Sequence, residues 1–134
     1  MTTRHCFEKD AVLVTDFPLS RVLLMNDSRF PWCILVPRRE NIREIYELTP
    51  DDQQQLMRES THLARRMAEY FHADKMNVAA LGNIVPQLHV HHIVRYKTDP
   101  AWPGAVFGTG PAVPYAPDEA ARLVAALRDA LGQP

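Results

Sequence analysis

The stretch from Thr49 to His72 constrains this chain more than any other. Thr49-Pro50-Asp51-Asp52 supplies a hydroxyl for an N-cap, a proline where its missing N–H is harmless, and acids against the positive end of a helix dipole. Leu56, Leu63, Met67, Tyr70 and Phe71 then recur at offsets of seven, eleven, fourteen and fifteen. That is one stripe of a 3.6-residue period, so the spacing predicts a long helix to about His72 with the stripe facing a core. Gln53, Arg58, Arg65, Arg66 and Glu69 fall on the opposite, solvated face. A helix of this strength fits a small barrel poorly.

The segments on either side read as strands. Ala11 to Thr15, Val22 to Met25 and Cys33 to Val36 are separated by Asp16-Phe17-Pro18 and by Asn26-Asp27-Ser28 with Arg29-Phe30-Pro31 behind it, an antiparallel meander. Beyond the helix, Met76 to Leu81 and Leu88 to Tyr96 are expected strands joined by Gly82-Asn83-Ile84-Val85-Pro86. Residues 98–117 hold five prolines and three glycines and are expected to form a loop. Its aromatics, Trp102 and Phe107, argue that it packs, and the segment from Trp102 to Tyr115 is read as covering a partner's site or capping the sheet. A final helix is expected from Pro117 to Leu131, with Ala120, Leu123, Val124, Leu127 and Leu131 on one face and Gly132 as its stop. The expected fold is α+β: an antiparallel sheet of about five strands, one long helix packed on it, a C-terminal helix, and residues 1–134 in one domain.

Composition narrows the function. The 15 basic and 16 acidic side chains leave a net charge of -1, without the excess that binding long nucleic acid requires. The longest apolar run, Trp32 to Val36, has five residues, far short of a membrane span. The start Met1-Thr2-Thr3-Arg4-His5 has no signal-peptide pattern, so a cytoplasmic location is expected. Cys6 and Cys33 are expected to be reduced thiols, with Cys33 buried and inert.

Six histidines occur, and three fall within four positions at His89, His91 and His92. On a strand, Gln87, His89, His91 and Ile93 share one face, and Leu88, Val90, His92 and Val94 share the other, which is the core face. His92 is therefore expected to be a buried structural ring, whereas two adjacent imidazoles on the non-core face call for a chemical role. His5, His62 and His72 are isolated, and a solvated or satisfied role is expected for each. An imidazole held in the right tautomer serves as a nucleophile towards phosphorus, with neighbouring donors stabilising the phosphoryl oxygens and no metal required.

The run Gln87-Leu88-His89-Val90-His91-His92-Ile93 resembles the signature of the histidine triad (HIT) family, with Gln87 in place of the first histidine. The likeness extends over residues 10–97 in the order of strands, helix and the Gly82-Asn83 turn. Asn83, Pro86 and Gln87, with Ala101-Trp102-Pro103-Gly104 downstream, resemble a bacterial branch in which glutamine is usual at that position. The other register, with His89 first and His91 as nucleophile, would put Ile93 last and is disfavoured. What the resemblance implies is a nucleotidyl hydrolase or transferase acting at the α-phosphate of a nucleoside phosphoester, phosphoramidate or dinucleoside polyphosphate.

By the same resemblance, His89 is the nucleophile and His91 contacts the phosphate, its backbone carbonyl fixing the proton on the other nitrogen of His89. Gln87 supplies an amide donor without a protonatable group. Asn83 donates to a phosphoryl oxygen and Asn26 holds ribose hydroxyls. Trp32 is read as a core residue or as a surface for base or ribose, and Arg95 and Lys97 as attracting polyphosphate or as solvated charges. The family implies a homodimer and an adenine nucleotide as substrate, with no cofactor. Two rival readings of the residues are a non-catalytic nucleotide-binding module and a metal-dependent enzyme using the His-x-His pair. The latter lacks an evident third ligand after His92.

Overall fold

The computed structural model describes residues 10–134, so the readings of His5, Cys6 and the N-terminal start lie outside the described residues. Strands β1 (Ala11–Asp16), β2 (Ser20–Met25) and β3 (Trp32–Pro37) form the expected meander. Helix α1 (Pro50–Phe71), strands β4 (Lys75–Ala79) and β5 (Val90–Arg95), and helix α2 (Pro117–Leu131) follow. All neighbours in the sheet are antiparallel, in the order β1-β2-β3-β5-β4. β5 thus lies between β3 and β4, which places the histidine run in the middle of the sheet.

The apolar run of β3 is explained by burial on both faces. Cys33 and Leu35 join Val22, Leu24, Leu88, Val90 and Val94 in a core beneath the helices, while Trp32, Ile34 and Val36 join Leu23, Phe30, Ile93 and Val106 on the other side. Leu56, Leu63 and Met67 of α1 and Val124, Leu127 and Leu131 of α2 complete the first core. The α1 stripe departs from expectation at its end. Phe71, whose ring meets Tyr70 edge-on at 4.8 Å, takes the last core position and leaves Tyr70 43% exposed.

Thr49 caps α1 as expected, its hydroxyl accepting from Asp52 N–H, and His72 ends the helix at a φ of 55°. A side chain in this left-handed conformation is strained, and glycine is the residue that adopts it freely. His72→Gly is therefore expected to raise unfolding stability by about 0.5–1 kcal/mol, less the extra freedom glycine adds to the unfolded chain. A thermal melt checks this, and a lowered midpoint contradicts it. His62 has a satisfied role, its Nε2–H donating to the Leu131 carbonyl at 2.6 Å and tying α1 to the end of α2.

The last two strands are shorter than expected. β4 stops at Ala79, leaving Leu81 and the positive-φ Gly82 in the connection, and β5 begins at Val90. Before Val90 the chain leaves the ladder, and Leu88 N–H bonds the Ile42 carbonyl at 2.8 Å.

Candidate active site

The end of β2, the start of β3, the 81–85 connection and the loop after β5 enclose a cleft of about 590 Å³, a size ordinary for a nucleotide-scale ligand. His89 and His91 stand in it together, ring centroids 5.0 Å apart, with Asn26, Trp32 and Asn83 in the same lining. The turn that opens β3 ties down the loop that covers the cleft. Asp27 accepts from Arg29 and from Val113 N–H, Arg29 reaches the carbonyls of Thr109 and Gly110, and Asn26 Oδ1 accepts from Tyr115 N–H at 2.8 Å. Burial opposes ionisation of Asp27, but the bonds from Arg29 and Val113 outweigh it and hold the carboxyl below its usual value. The 98–117 loop thereby caps the sheet over this chain's own cleft, with Phe107 edge-on to Trp32 and to His91.

Hydrogen bonds fix the proton on each imidazole. A carbonyl only accepts, so the 2.7 Å contact of His89 Nδ1 with the Gln87 carbonyl places the proton of His89 on Nδ1 and the lone pair of the neutral ring on Nε2. An indole only donates, so the 3.0 Å bond from Trp32 Nε1 to His91 Nδ1 makes His91 the opposite tautomer, carrying its proton on Nε2. Burial, with smaller contributions from His89 and His92, pushes the His91 ring down to about 4. The pair thus presents one nitrogen with a lone pair and one N–H donor, which together suit attack on a phosphoryl centre and support of its oxygens.

A family model for the HIT domain matches residues 6–98. This chain belongs to the HIT family. A histidine triad protein from Marinobacter aquaeolei VT8 is 53% identical, with a TM-score of 0.93 over 96% of this chain and 94% of that one. Histidine triad proteins from Sinorhizobium meliloti 1021 and Bradyrhizobium japonicum are 43% and 40% identical, each with a TM-score of 0.91. The first alignment covers 95% of this chain and 94% of the other, the second 98% and 97%. No curated protein matches the chain.

Within this HIT protein, five of the six candidate residues line one cleft and Gln87 does not. Its side-chain amide donates instead to the Arg39 carbonyl at 3.3 Å, because residues 87 and 88 precede β5 and the strand alternation does not govern them. The carbonyl that fixes His89 is that of Gln87, where His91 was expected to supply it. Trp32 takes the expected core role, buried in the second core, and in addition its indole N–H bonds a site imidazole, which the sequence did not suggest.

Arg95 is a structural group. It is buried, bonds Asn77, pairs with both oxygens of Asp99, and holds the Asp99 carboxyl down to about 2. Lys97 is exposed and outside the cleft lining. Among the described residues no group of three or more His, Cys, Asp or Glu side chains is placed to hold a metal ion. Sequence reasoning missed Asp27 and Arg29 as site residues; their signal was a charged pair inside the Asn26 turn.

His92 points to the helix side as expected, its Nδ1–H on the Val90 carbonyl and its Nε2 accepting from the Ser60 hydroxyl at 2.7 Å. Burial pushes this ring down to about 4, with the Val90 bond working against that. Cys33 is likewise fully buried and its thiol pushed up to about 12, an inert core residue. The folded protein keeps His91 and His92 neutral where the unfolded chain takes up protons, so the unfolded state binds more protons between about pH 6.5 and about pH 4. Stability is therefore expected to fall as pH drops through that window, by at most about 3 kcal/mol per ring. Urea unfolding across the window, with His92→Gln as the shallower comparison, checks this; equal slopes for the two proteins contradict it.

Proposed function

We propose that this HIT protein transfers a nucleotidyl group from a nucleoside phosphoester, phosphoramidate or dinucleoside polyphosphate to His89, and from His89 to water. The observation that carries the reading is the Nδ1–H bond of His89 to the Gln87 carbonyl, which directs the ring's lone pair to Nε2. As Nε2 bonds phosphorus the ring gains positive charge, and that carbonyl, accepting from Nδ1, stabilises it. His91 Nε2–H and the Asn83 amide support the phosphoryl oxygens, and Asn26 binds ribose through the amide group that Tyr115 N–H leaves over. Trp32 and Phe107 supply aromatic surface.

Gln87 stands at the first triad position, in the manner of a bacterial branch, and gives up the protonatable group found there in other members. The reading carries with it an adenine nucleotide, a homodimer, a single domain over residues 1–134 and a cytoplasmic location. Membership of the HIT family and the 40–53% identical histidine triad proteins, of which 94–97% is covered, support it. The exposed position of the Gln87 amide gives the binding-module reading its one foothold.

The test is a rapid-quench intact-mass experiment with diadenosine tetraphosphate and with adenosine phosphoramidate in excess chelator. The expected result is an adenylated wild type, the label mapping to His89, and no label on His89→Ala. Unchanged nucleotide binding without label or turnover would establish a binding module. Turnover lost in chelator and restored by a divalent ion would establish a metal enzyme.

A further inference from the structure

The peptide group joining Gln87 to Leu88 is trans and planar, so its N–H and its carbonyl point in opposite directions and turn together. The carbonyl end accepts from His89 Nδ1 at 2.7 Å, and the N–H end donates to the Ile42 carbonyl at 2.8 Å. One rigid plate thus connects the His89 ring to the turn that follows β3. The two bonds also reinforce each other. A peptide whose N–H is bonded presents a more negative carbonyl oxygen, so the Ile42 contact strengthens the acceptor that faces Nδ1–H.

The 38–42 segment grips residues 87 and 88 at a second point, where the Arg39 carbonyl accepts from Gln87 Nε2 at 3.3 Å. Asn41 lies between the two gripping carbonyls with a φ of 59°, a left-handed conformation that asparagine takes more readily than most side chains. Both ends of this turn are anchored. Ile42 packs against the first core, of which Leu88 is a member. Arg39 donates from Nε and Nη2 to the two oxygens of Asp52 at 2.8 and 3.2 Å, and from Nη1 to the Arg38 carbonyl at 2.9 Å. Asp52 stands in the first turn of α1, its own N–H capped by the Thr49 hydroxyl.

The Arg39 side chain is 47% exposed and that of Asp52 18%. An ion pair so open to water adds little to unfolding stability, but its two parallel bonds give the Arg39 side chain one direction. Its consequence is geometric.

We infer that Arg39 and Asp52, both outside the cleft lining, are positioning residues for His89: the pair holds the turn, the turn holds the 87–88 peptide, and the peptide aims the lone pair of the ring. The inference rests on the nucleotidyl-transfer reading above. With a dinucleoside polyphosphate, His89 Nε2 bonds phosphorus as the P–O bond breaks, the departing phosphate oxygen keeping the electron pair and Nδ1–H staying on the Gln87 carbonyl. A water oxygen then bonds phosphorus as the P–N bond breaks and returns its pair to Nε2, one water proton passing to solvent. The ring keeps its Nδ1 proton through both steps, so the clamp is engaged throughout.

The experiment compares the full-length wild type, Arg39→Met, Asp52→Asn and the double variant. It measures single-turnover adduct formation with diadenosine tetraphosphate, binding of adenosine monophosphate, and the ring-nitrogen signals of ¹⁵N-labelled histidine at about pH 8. Each single variant is expected to form the adduct about tenfold more slowly while binding the monophosphate within about twofold of wild type. The double variant is expected to be no slower than either single one, because each substitution releases the same turn.

The His89 nitrogens, assigned by their absence from His89→Ala, are expected to show Nδ1 protonated and Nε2 bare in wild type and to move towards an average of both tautomers in the variants. A mere loss of stability would leave that signature in place. Asp52→Asn keeps the side-chain volume and the Thr49 cap, so it carries the test if Arg39→Met folds poorly. Wild-type rates in the variants, additive losses, or unmoved His89 nitrogens beside a slower rate overturn the inference and leave nucleotidyl transfer standing. No adduct on the wild type overturns the nucleotidyl-transfer reading instead, and the nitrogen signals then still decide whether the pair positions the ring.

Discussion

His89→Ala is expected to lower kcat on order of 10⁴-fold or more, with nucleotide affinity changed by less than about tenfold. The asymmetry follows from the layout of the cleft. Asn26, Trp32, Asn83 and Phe107 line it independently of His89 and remain to hold ligand. His91 cannot take over as nucleophile, because its Nδ1 accepts the Trp32 indole N–H and its other nitrogen carries the proton. What is lost is the covalent route itself, equivalent to about 5.5 kcal/mol or more of transition-state stabilisation. Single-turnover rates measured beside binding titrations check this. A variant within about tenfold of wild type would show that His89 is not the nucleophile.

Glu59→Ala is expected to be the most damaging substitution to the fold outside the apolar core, lowering stability by about 3–5 kcal/mol. Glu59 is fully buried on α1, where one oxygen accepts from Leu19 N–H at 2.7 Å and the other from Ser20 N–H at 2.9 Å. Gln55 adds a third bond at 2.8 Å. The carboxylate thereby fastens the helix to the turn that starts β2. Truncation leaves two buried backbone donors without acceptors, each costing about 1–3 kcal/mol, out of a total stability of about 5–15 kcal/mol for a domain of this kind.

Glu59→Gln keeps the shape and one acceptor but turns an NH₂ group towards a backbone N–H, so an intermediate loss is expected. Urea unfolding should show a lowered midpoint with little change in slope. Equal midpoints for wild type and alanine variant would contradict the role assigned to Glu59.

Glu59 also marks where the sequence was readable and was not read. It lies three residues after Leu56 and four before Leu63, inside the very stripe that located the core face of α1. A glutamate in a helix suggests solvent, and only its position in the stripe signalled burial. Arg95 is the same case on a strand: a charge that looks available in the sequence is consumed by Asp99 and Asn77 in the fold. Gln87 erred in the other direction, since strand alternation placed it beside His89 while the chain had not yet entered β5.

The sequence by itself determined the order of strands and helices, the cap at Thr49, the span of α2, and the sorting of His91 from His92 across β5. These depend on local periodicity and on side chains acting on their own backbone, which a linear reading contains. Tertiary structure alone decided the protonation geometry of the site. The tautomer of His91 is fixed by Trp32, 59 residues away, and the roof of the cleft by Arg29, 80 residues from the Thr109 carbonyl it holds. A ring nitrogen takes or gives a proton according to the partner facing it, and partners so distant in sequence meet only after the sheet has brought β3 and β5 together.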